Sequence, residues 1–194
     1  MFKTENELKN EIRKFCESPS SKRVMIKIHN LAKLKGEGLG YHFDHCDILC
    51  FQTSPDNIKS LREFCRVLYL KHDVKIILRG IEVKSILDAD YFHFSKTYNC
   101  NLGEETPLDI TFGFPKDNIK TKACGLIIYH KNRLVKIKRV TNAERLIGVV
   151  NIDCLTPTAF KQDFIKDDKY RHTMKLLRRK KKHFIKQGAK LGLV

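Results

Sequence analysis

The residues best suited to chemistry in this sequence are Lys161, Gln162 and Asp163, inside the stretch Pro157-Thr158-Ala159-Phe160-Lys161-Gln162-Asp163-Phe164. An ammonium beside an amide and a carboxylate suits a phosphate group, the lysine acting as a compact point charge. The stretch lies between an apolar run that reads as a buried strand, Leu146 to Leu155, and a basic helix from Asp167 to about Gln187. A loop held by two such elements is where binding residues are commonly placed. A second grouping, Arg178-Arg179-Lys180-Lys181-Lys182, sets five cations in succession toward the end of that helix. This run fits a nucleic-acid or nuclear-import patch, and it fits equally the solvated side of an amphipathic helix.

Two further groupings carry less. Lys35-Gly36-Glu37-Gly38-Leu39-Gly40 has the glycines of a phosphate cradle, but no helix signal follows it and Glu37 stands where an anion would bind. It reads as a flexible strand connection. His42, His45, Cys46 and Cys50 are of zinc-binding type, yet no second short-spaced pair of ligands follows them downstream. Phe43, Ile48, Leu49 and Phe51, set among them, look like strand residues.

The elements that must position these groups follow from periodicity. Leu8, Ile12, Phe15 and Cys16 fall at helical spacing within Glu5 to Cys16, and Val24, Ile26 and Ile28 alternate as in a strand with one buried face. Ser60 to Lys71 is the clearest helix: Ser60 and Glu63 form a capping box, and Leu61, Phe64, Cys65, Leu68 and Tyr69 make a wide apolar face that needs a sheet beneath it. Val74 to Leu78 and Ile81 to Val83 flank a turn at Arg79-Gly80. Leu87 to about Leu102, with Asp88, Asp90, Asn99 and Asn101 as turn formers, reads as a long connection. Strands are expected at Ile110 to Phe114, Gly125 to Tyr129, Leu134 to Val140 (a hairpin around His130 to Arg133) and Leu146 to Leu155. In the last helix Tyr170, Met174, Leu177 and Phe184 form the apolar seam. Gly188 and Gly192 mark a tail. Strands in succession followed by a helix predict an α+β fold, a mixed or antiparallel sheet with helices on one face.

Composition agrees with a folded chain and narrows its partners. The 194 residues include 42% hydrophobic and 31% charged side chains, outside the range of disordered sequences. With 38 basic and 22 acidic residues the net charge is +16, which concentrates polyanions around the protein. Seven cysteines without regular spacing, no signal peptide and no apolar run of spanning length point to a reducing compartment, and neither a disulfide framework nor a membrane span is expected.

Five segments together carry a resemblance. Ser60-Leu61-Arg62-Glu63-Phe64-Cys65-Arg66-Val67-Leu68-Tyr69-Leu70-Lys71, Lys75-Ile76-Ile77-Leu78-Arg79-Gly80, Ile110-Thr111-Phe112-Gly113-Phe114, Gly125-Leu126-Ile127-Ile128-Tyr129-His130-Lys131-Asn132-Arg133-Leu134 and Lys161-Gln162-Asp163-Phe164 resemble, in order, segments of MORC (microrchidia) proteins. The similarity runs with gaps from about Arg23 to about Tyr170. MORC proteins are nuclear GHKL-type ATPases of chromatin compaction and gene silencing, in which a Bergerat-fold ATPase domain precedes a transducer of the ribosomal S5 domain 2 type. The resemblance implies that residues 1–51 are an N-terminal helix with remnant strands of the nucleotide domain, 52–187 the S5-like transducer with its basic helix, and 188–194 a tail. It also implies that Lys161 is the transducer lysine that reaches the terminal phosphate of ATP, with Gln162 able to donate beside it and Asp163 orienting the loop.

The departures from the family pattern set the expected activity. The magnesium-binding asparagine, the water-activating acid and the Asp-x-Gly-x-Gly segment do not precede Arg23, and Ser21-Lys22 replaces the expected Gly-Thr pair. Gly36, Gly38 and Gly40 follow the Arg23-Val24 strand, so they cannot serve as the lid that precedes it. The chain alone is therefore expected neither to bind nor to hydrolyse ATP well, and ATP with Mg belongs to a complete nucleotide domain. Without tryptophan there is no CW-type zinc finger. DNA or chromatin, a second copy, or a complementary ATPase domain are the expected partners, in the nucleus. A non-enzymatic nucleic-acid-binding module and an inactive fragment are the alternative readings.

Overall fold

The computed structural model describes residues 5–17, 41–50, 58, 60–71, 73, 75–86, 91–102, 107–116, 125–139 and 145–192. The chain forms two compact units, Met1–Gly40 and Tyr41–Val194. In the first, helix α1 spans Glu5–Cys16 as its spacing predicts, with a Lys9 to Glu5 ion pair of 2.7 Å one turn apart. The expected strand at Val24 to Ile28 and the glycine loop at Gly36 to Gly40 lie outside the described residues.

The second unit is built on a five-stranded mixed sheet of β5 (Phe92–Asn101), β6 (Pro107–Pro115), β7 (Gly125–His130), β8 (Arg133–Lys138) and β9 (Ile147–Asn151), in spatial order β5-β6-β9-β7-β8. Two small hairpins precede it, β1 (Tyr41–Phe43) with β2 (Ile48–Cys50), and β3 (Ile77–Leu78) with β4 (Ile81–Glu82). Helices α2 (Leu61–Leu68) and α3 (Asp168–Lys190) complete it.

The reason for the strand order lies in β7 and β9. Gly125 to Tyr129 and Ile147 to Val150 are buried at every position, so each strand needs neighbours on both edges and cover on both faces. β9 inserts between β6 and β7, antiparallel to the first and parallel to the second, with Ile127 opposite Val149. Alternate residues then feed two cores. Leu126, Ile128, Val150 and Phe112 join Met174, Leu177 and Phe184 of α3, whereas Ile127, Tyr129, Ile147 and Val149 join Val67 of α2 with Ile58, Ile86 and Tyr91. The α+β class and the mixed sheet are as expected, but helices cover both faces and not one. The physical cause is that strands apolar on both sides cannot leave either side to water.

Local chemistry explains the helix ends. Ser60 accepts a hydrogen bond from the Glu63 amide at 2.9 Å, the expected cap of α2, and Glu63 pairs with Arg66 at 3.2 Å. The Asp47 carboxylate accepts from the Ser60 hydroxyl and, at 2.9 Å, from the Arg62 amide, tying the β1–β2 hairpin to the same helix start. α2 stops at Leu68, three residues before the expected end, because Tyr69 turns extended and bridges to Arg133 on β8. α3 is capped by Asp167, which accepts from the Tyr170 amide at 2.7 Å, and continues through the buried Gly188 to Lys190, into what the sequence suggests is a tail.

One strand escapes the sequence reading. Phe92 to Asn101 reads as a connection, yet it is β5, paired along its length with β6. As an edge strand it buries only part of one face, and Asn99, read as a turn former, donates instead to Asp109 across the pair at 2.7 Å. The β7–β8 turn is tighter than expected, only Lys131 and Asn132, both at positive φ as a two-residue hairpin of matching twist requires. Asn132 then bonds the Lys71 amide and carbonyl, holding the chain after α2 against the hairpin.

At the crossing of the two main strands Gly148 is needed for space. A Cβ there would lie 2.6 Å from the Phe112 ring and 2.9 Å from Leu126. Gly148→Ala should lower the unfolding free energy by about 1–3 kcal/mol, the usual cost of overpacking, as read by chemical denaturation.

Candidate functional site

The stretch Pro157 to Phe164 is a compact hairpin and not an open loop. Pro157 and Phe164 bridge, the Thr158 amide donates to the Asp163 carbonyl at 2.8 Å, and the Lys161 amide donates to the Thr158 carbonyl at 2.8 Å. Its base is anchored by the Phe164 side chain, which is buried in the α3 core, while Phe160 at its tip is 87% exposed. Lys161 occupies the left-handed position of the turn, at φ 53, where glycine is the usual residue. Its ammonium is exposed and makes no ion pair among the described residues.

Asp163 does for this hairpin what the expectation assigned to it, but through a partner the sequence did not single out. Its Oδ2 accepts from Lys136 Nζ of β8 at 2.6 Å and its Oδ1 accepts from the Phe164 amide at 2.9 Å. Partial burial pushes the carboxyl upward. The Lys136 and Phe164 donors and the charges of Lys136 and Lys166 outweigh it, so the group is held below its ordinary value of 3.8. Lys136 could have been found from the strand period of β8, since it lies on the same face as Lys138. Nothing in the sequence says that Asp163 meets it.

Lys161 and Gln162 therefore stand next to each other at the exposed tip, over an open groove of about 830 Å3 bounded by α2, β8 and the hairpin itself. Phe64 and Leu68 of α2 line its far side, which explains why the apolar face of that helix is only partly covered.

The five cations of the α3 run are not gathered in one pocket. Arg178, Lys181 and Lys182 converge on Lys138 and Arg139 at the end of β8. Lys180 turns the other way, its Nζ 5.4 Å from the centre of the Tyr98 ring, and Arg179 points to solvent outside this cluster. Helical geometry sends positions 178, 181 and 182 to one side and divides them from their neighbours in sequence. Lys138 and Arg139 were not singled out by the sequence reading. Among the described residues no group of three His, Cys, Asp or Glu side chains is placed to share a metal ion. Cys46, Cys65, Cys100 and Cys154 are half-buried free thiols.

Two outcomes follow from the hairpin. Lys161→Gly should raise the stability of the fold by about 0.5–1 kcal/mol in thermal or chemical unfolding, because glycine occupies φ 53 without the strain a lysine bears. Asp163→Asn should cost about 0.5–1 kcal/mol at neutral pH, the range of a partly exposed ion pair. A carboxyl depressed in the fold stabilises above its unfolded value, so the difference between parent and Asp163→Asn should shrink as pH falls below 3.8. A difference independent of pH from 7 to about 2 would contradict this pairing.

The Lys161 hairpin, the five-stranded sheet, α2 and most of α3 fall within a segment that matches a family model. Residues 59–185 match the family model described as Morc6 ribosomal protein S5 domain 2-like. The chain is 35% identical over 155 residues to Protein MICRORCHIDIA 3 of Arabidopsis thaliana, covering 74% of this chain and 23% of that one. It is 34% identical over 134 residues to MORC family CW-type zinc finger protein 3 of Mus musculus, covering 63% and 14%, and 35% identical over 117 residues to Protein MICRORCHIDIA 2 of Arabidopsis thaliana, covering 54% and 19%. It thus spans about a quarter or less of the length of these relatives. A family match over the whole five-stranded sheet, α2, most of α3 and the Lys161 hairpin means that the chain belongs to the MORC family, as its transducer domain of the ribosomal S5 domain 2 type.

Proposed function

We propose that this chain is the phosphate-sensing transducer of a MORC-type chromatin ATPase, with Lys161 contacting the terminal phosphate of ATP held by a nucleotide domain. The observation that supports it is the placing of Lys161. A charged side chain with no ion-pair partner among the described residues is held at a strained backbone angle, at the tip of a hairpin pinned by Asp163 and Lys136. Strain of this kind persists only where the surroundings over-determine it, and it is concentrated at ligand contacts. Gln162 supplies an amide donor beside it.

Among the described residues, those of the hairpin fit the phosphate end of the nucleotide. A lysine and an amide suit phosphoryl oxygens, whereas no carboxylate or histidine cluster for magnesium occurs among the described residues. Adenine and magnesium are left to the nucleotide domain, and binding of ATP to this chain alone is not part of the proposal. A charge-assisted hydrogen bond contributes roughly 1.5–3 kcal/mol. Swinging a two-state assembly from almost fully open to almost fully closed takes about 5.5 kcal/mol. Lys161 therefore works together with dimer or domain contacts, for which the groove beside it and the exposed Phe160 offer surface.

A second reading has its own observation. The net charge of +16 and the convergence of Arg178, Lys181 and Lys182 on β8 support contact with DNA or chromatin, and with it a nuclear location and a part in compaction and silencing.

Adding this chain in trans, with ATP, to the nucleotide domain of a MORC relative cut before its own transducer should raise phosphate release about tenfold or more, the scale of a positioned charge on a transferring phosphoryl group. Lys161→Ala and the more stable Lys161→Gly should both lose that gain. Turnover by either variant equal to the parent's would exclude the phosphate contact, whereas no stimulation by the parent chain would exclude the transducer activity itself.

A further inference from the structure

The end of β8 and the flank of α3 enclose a pocket of about 300 Å3 on the same sheet face as the Lys136 to Asp163 pair, separate from the groove under Lys161. Its rim carries Lys138, Arg139, Arg178, Lys181 and Lys182, and none of the described residues that line it is a carboxylate. Its floor is apolar, made by Phe112, Leu126, Met174 and Leu177, each 8% exposed or less. The volume is at the lower end of small-ligand sites, which combine an apolar lining with a few polar groups.

Four of these cations carry charge that no described acid neutralises. Among the described residues Lys138, Arg178, Lys181 and Lys182 make no ion pair, and Asp163, an acid that acts on Lys138, is already bonded to Lys136 at 2.6 Å. Partial burial holds the Lys138 ammonium below its ordinary value, with Arg178, Lys136 and Lys181 adding to the effect and Asp163 opposing it. Like charges gathered over a low-dielectric floor repel one another, and a single anion between them relieves every pair at once.

We propose that this pocket seats one nucleotide unit of a single-stranded nucleic acid, its phosphates on Lys138, Arg178, Lys181 and Lys182 and the edge of its base on the apolar floor. The proposal rests on the reading that α3 meets nucleic acid, and it names the form and the place. A bare phosphate would leave the floor open to water. A lipid would need a long apolar channel for its acyl chain, and the floor offers only the narrow exposed parts of four buried side chains. Duplex DNA keeps its bases stacked inside, whereas single strands splay them into clefts beside a cationic track. Such a track continues outside the pocket in the exposed Lys175 and Arg179 of the same helix.

The test is fluorescence anisotropy of a labelled single-stranded oligonucleotide of about twelve nucleotides, titrated with the whole chain over a range of salt. Arg178→Ala with Lys181→Ala should weaken binding about tenfold or more and make the plot of log affinity against log salt shallower by about 1.4. Lys169→Ala with Lys190→Ala removes the same charge from exposed ends of α3 and should change affinity less than about twofold. An oligonucleotide of the same length lacking its bases should bind more weakly, and a mononucleotide should compete where inorganic phosphate does not. Thermal unfolding of each variant shows that the fold is retained. Equal losses in the two double variants, or equal affinity for the base-free strand, would overturn the pocket while leaving a diffuse nucleic-acid contact. Phosphoinositide vesicles that bind and are not displaced by the oligonucleotide would assign the pocket to lipid and overturn the proposal. Absence of oligonucleotide binding by the parent at physiological salt would overturn the pocket and the wider reading together.

Discussion

The parallel pairing of β7 with β9 is the constraint on which the rest of the second unit depends. These two strands are apolar on both faces, so they must lie inside the sheet and must be covered twice. Insertion of β9 between β6 and β7 satisfies the first need. α2 and α3 on opposite faces satisfy the second, and small details follow from it. Gly148 is kept free of a side chain so that Phe112 and Leu126 can close over it, and Tyr129 buries its ring under α2 while its hydroxyl donates to the Val67 carbonyl at 2.7 Å. Burial without solvent raises that phenol above its ordinary value, so it serves as a structural donor and not as an acid.

The same arrangement decides where charge can go. With β7 and β9 inside, β8 becomes an edge strand, and edge strands tolerate lysines. Lys136 and Lys138 project from one face of it, two residues apart, and are put to different uses. The first is neutralised by Asp163 and pins the hairpin that presents Lys161. The second lies under the cations of α3 with no acid of its own. An ion pair and a cluster of cations thus stand side by side on one strand.

The Lys161 hairpin is a small element under strong local control. Cross-hairpin backbone bonds, the buried Phe164 and the Lys136 to Asp163 pair leave its lysine little choice of backbone angle. A contact built this way is pre-organised, so less ordering entropy is lost when an anion arrives. The chain runs directly on from the hairpin into α3, which begins four residues after Phe164.

Local pattern settled a good deal. Helical spacing and caps locate α1, α2 and the start of α3, and glycine and alternation locate the β3–β4 and β7–β8 hairpins, because each depends on neighbours within one or two turns of chain. The reading failed where a residue's role depends on distant chain. Asn99 is a turn former by type and a cross-strand donor by position, so by residue type alone β5 reads as a connection. Which face of the sheet each helix covers, the meeting of Lys136 with Asp163 across 27 positions, and the convergence of Arg178, Lys181 and Lys182 on Lys138 were decided only by tertiary structure. Periodicity reports whether a side chain will be buried. What it is buried against is set by strand order and helix rotation, and these minimise exposed apolar surface over the whole unit at once.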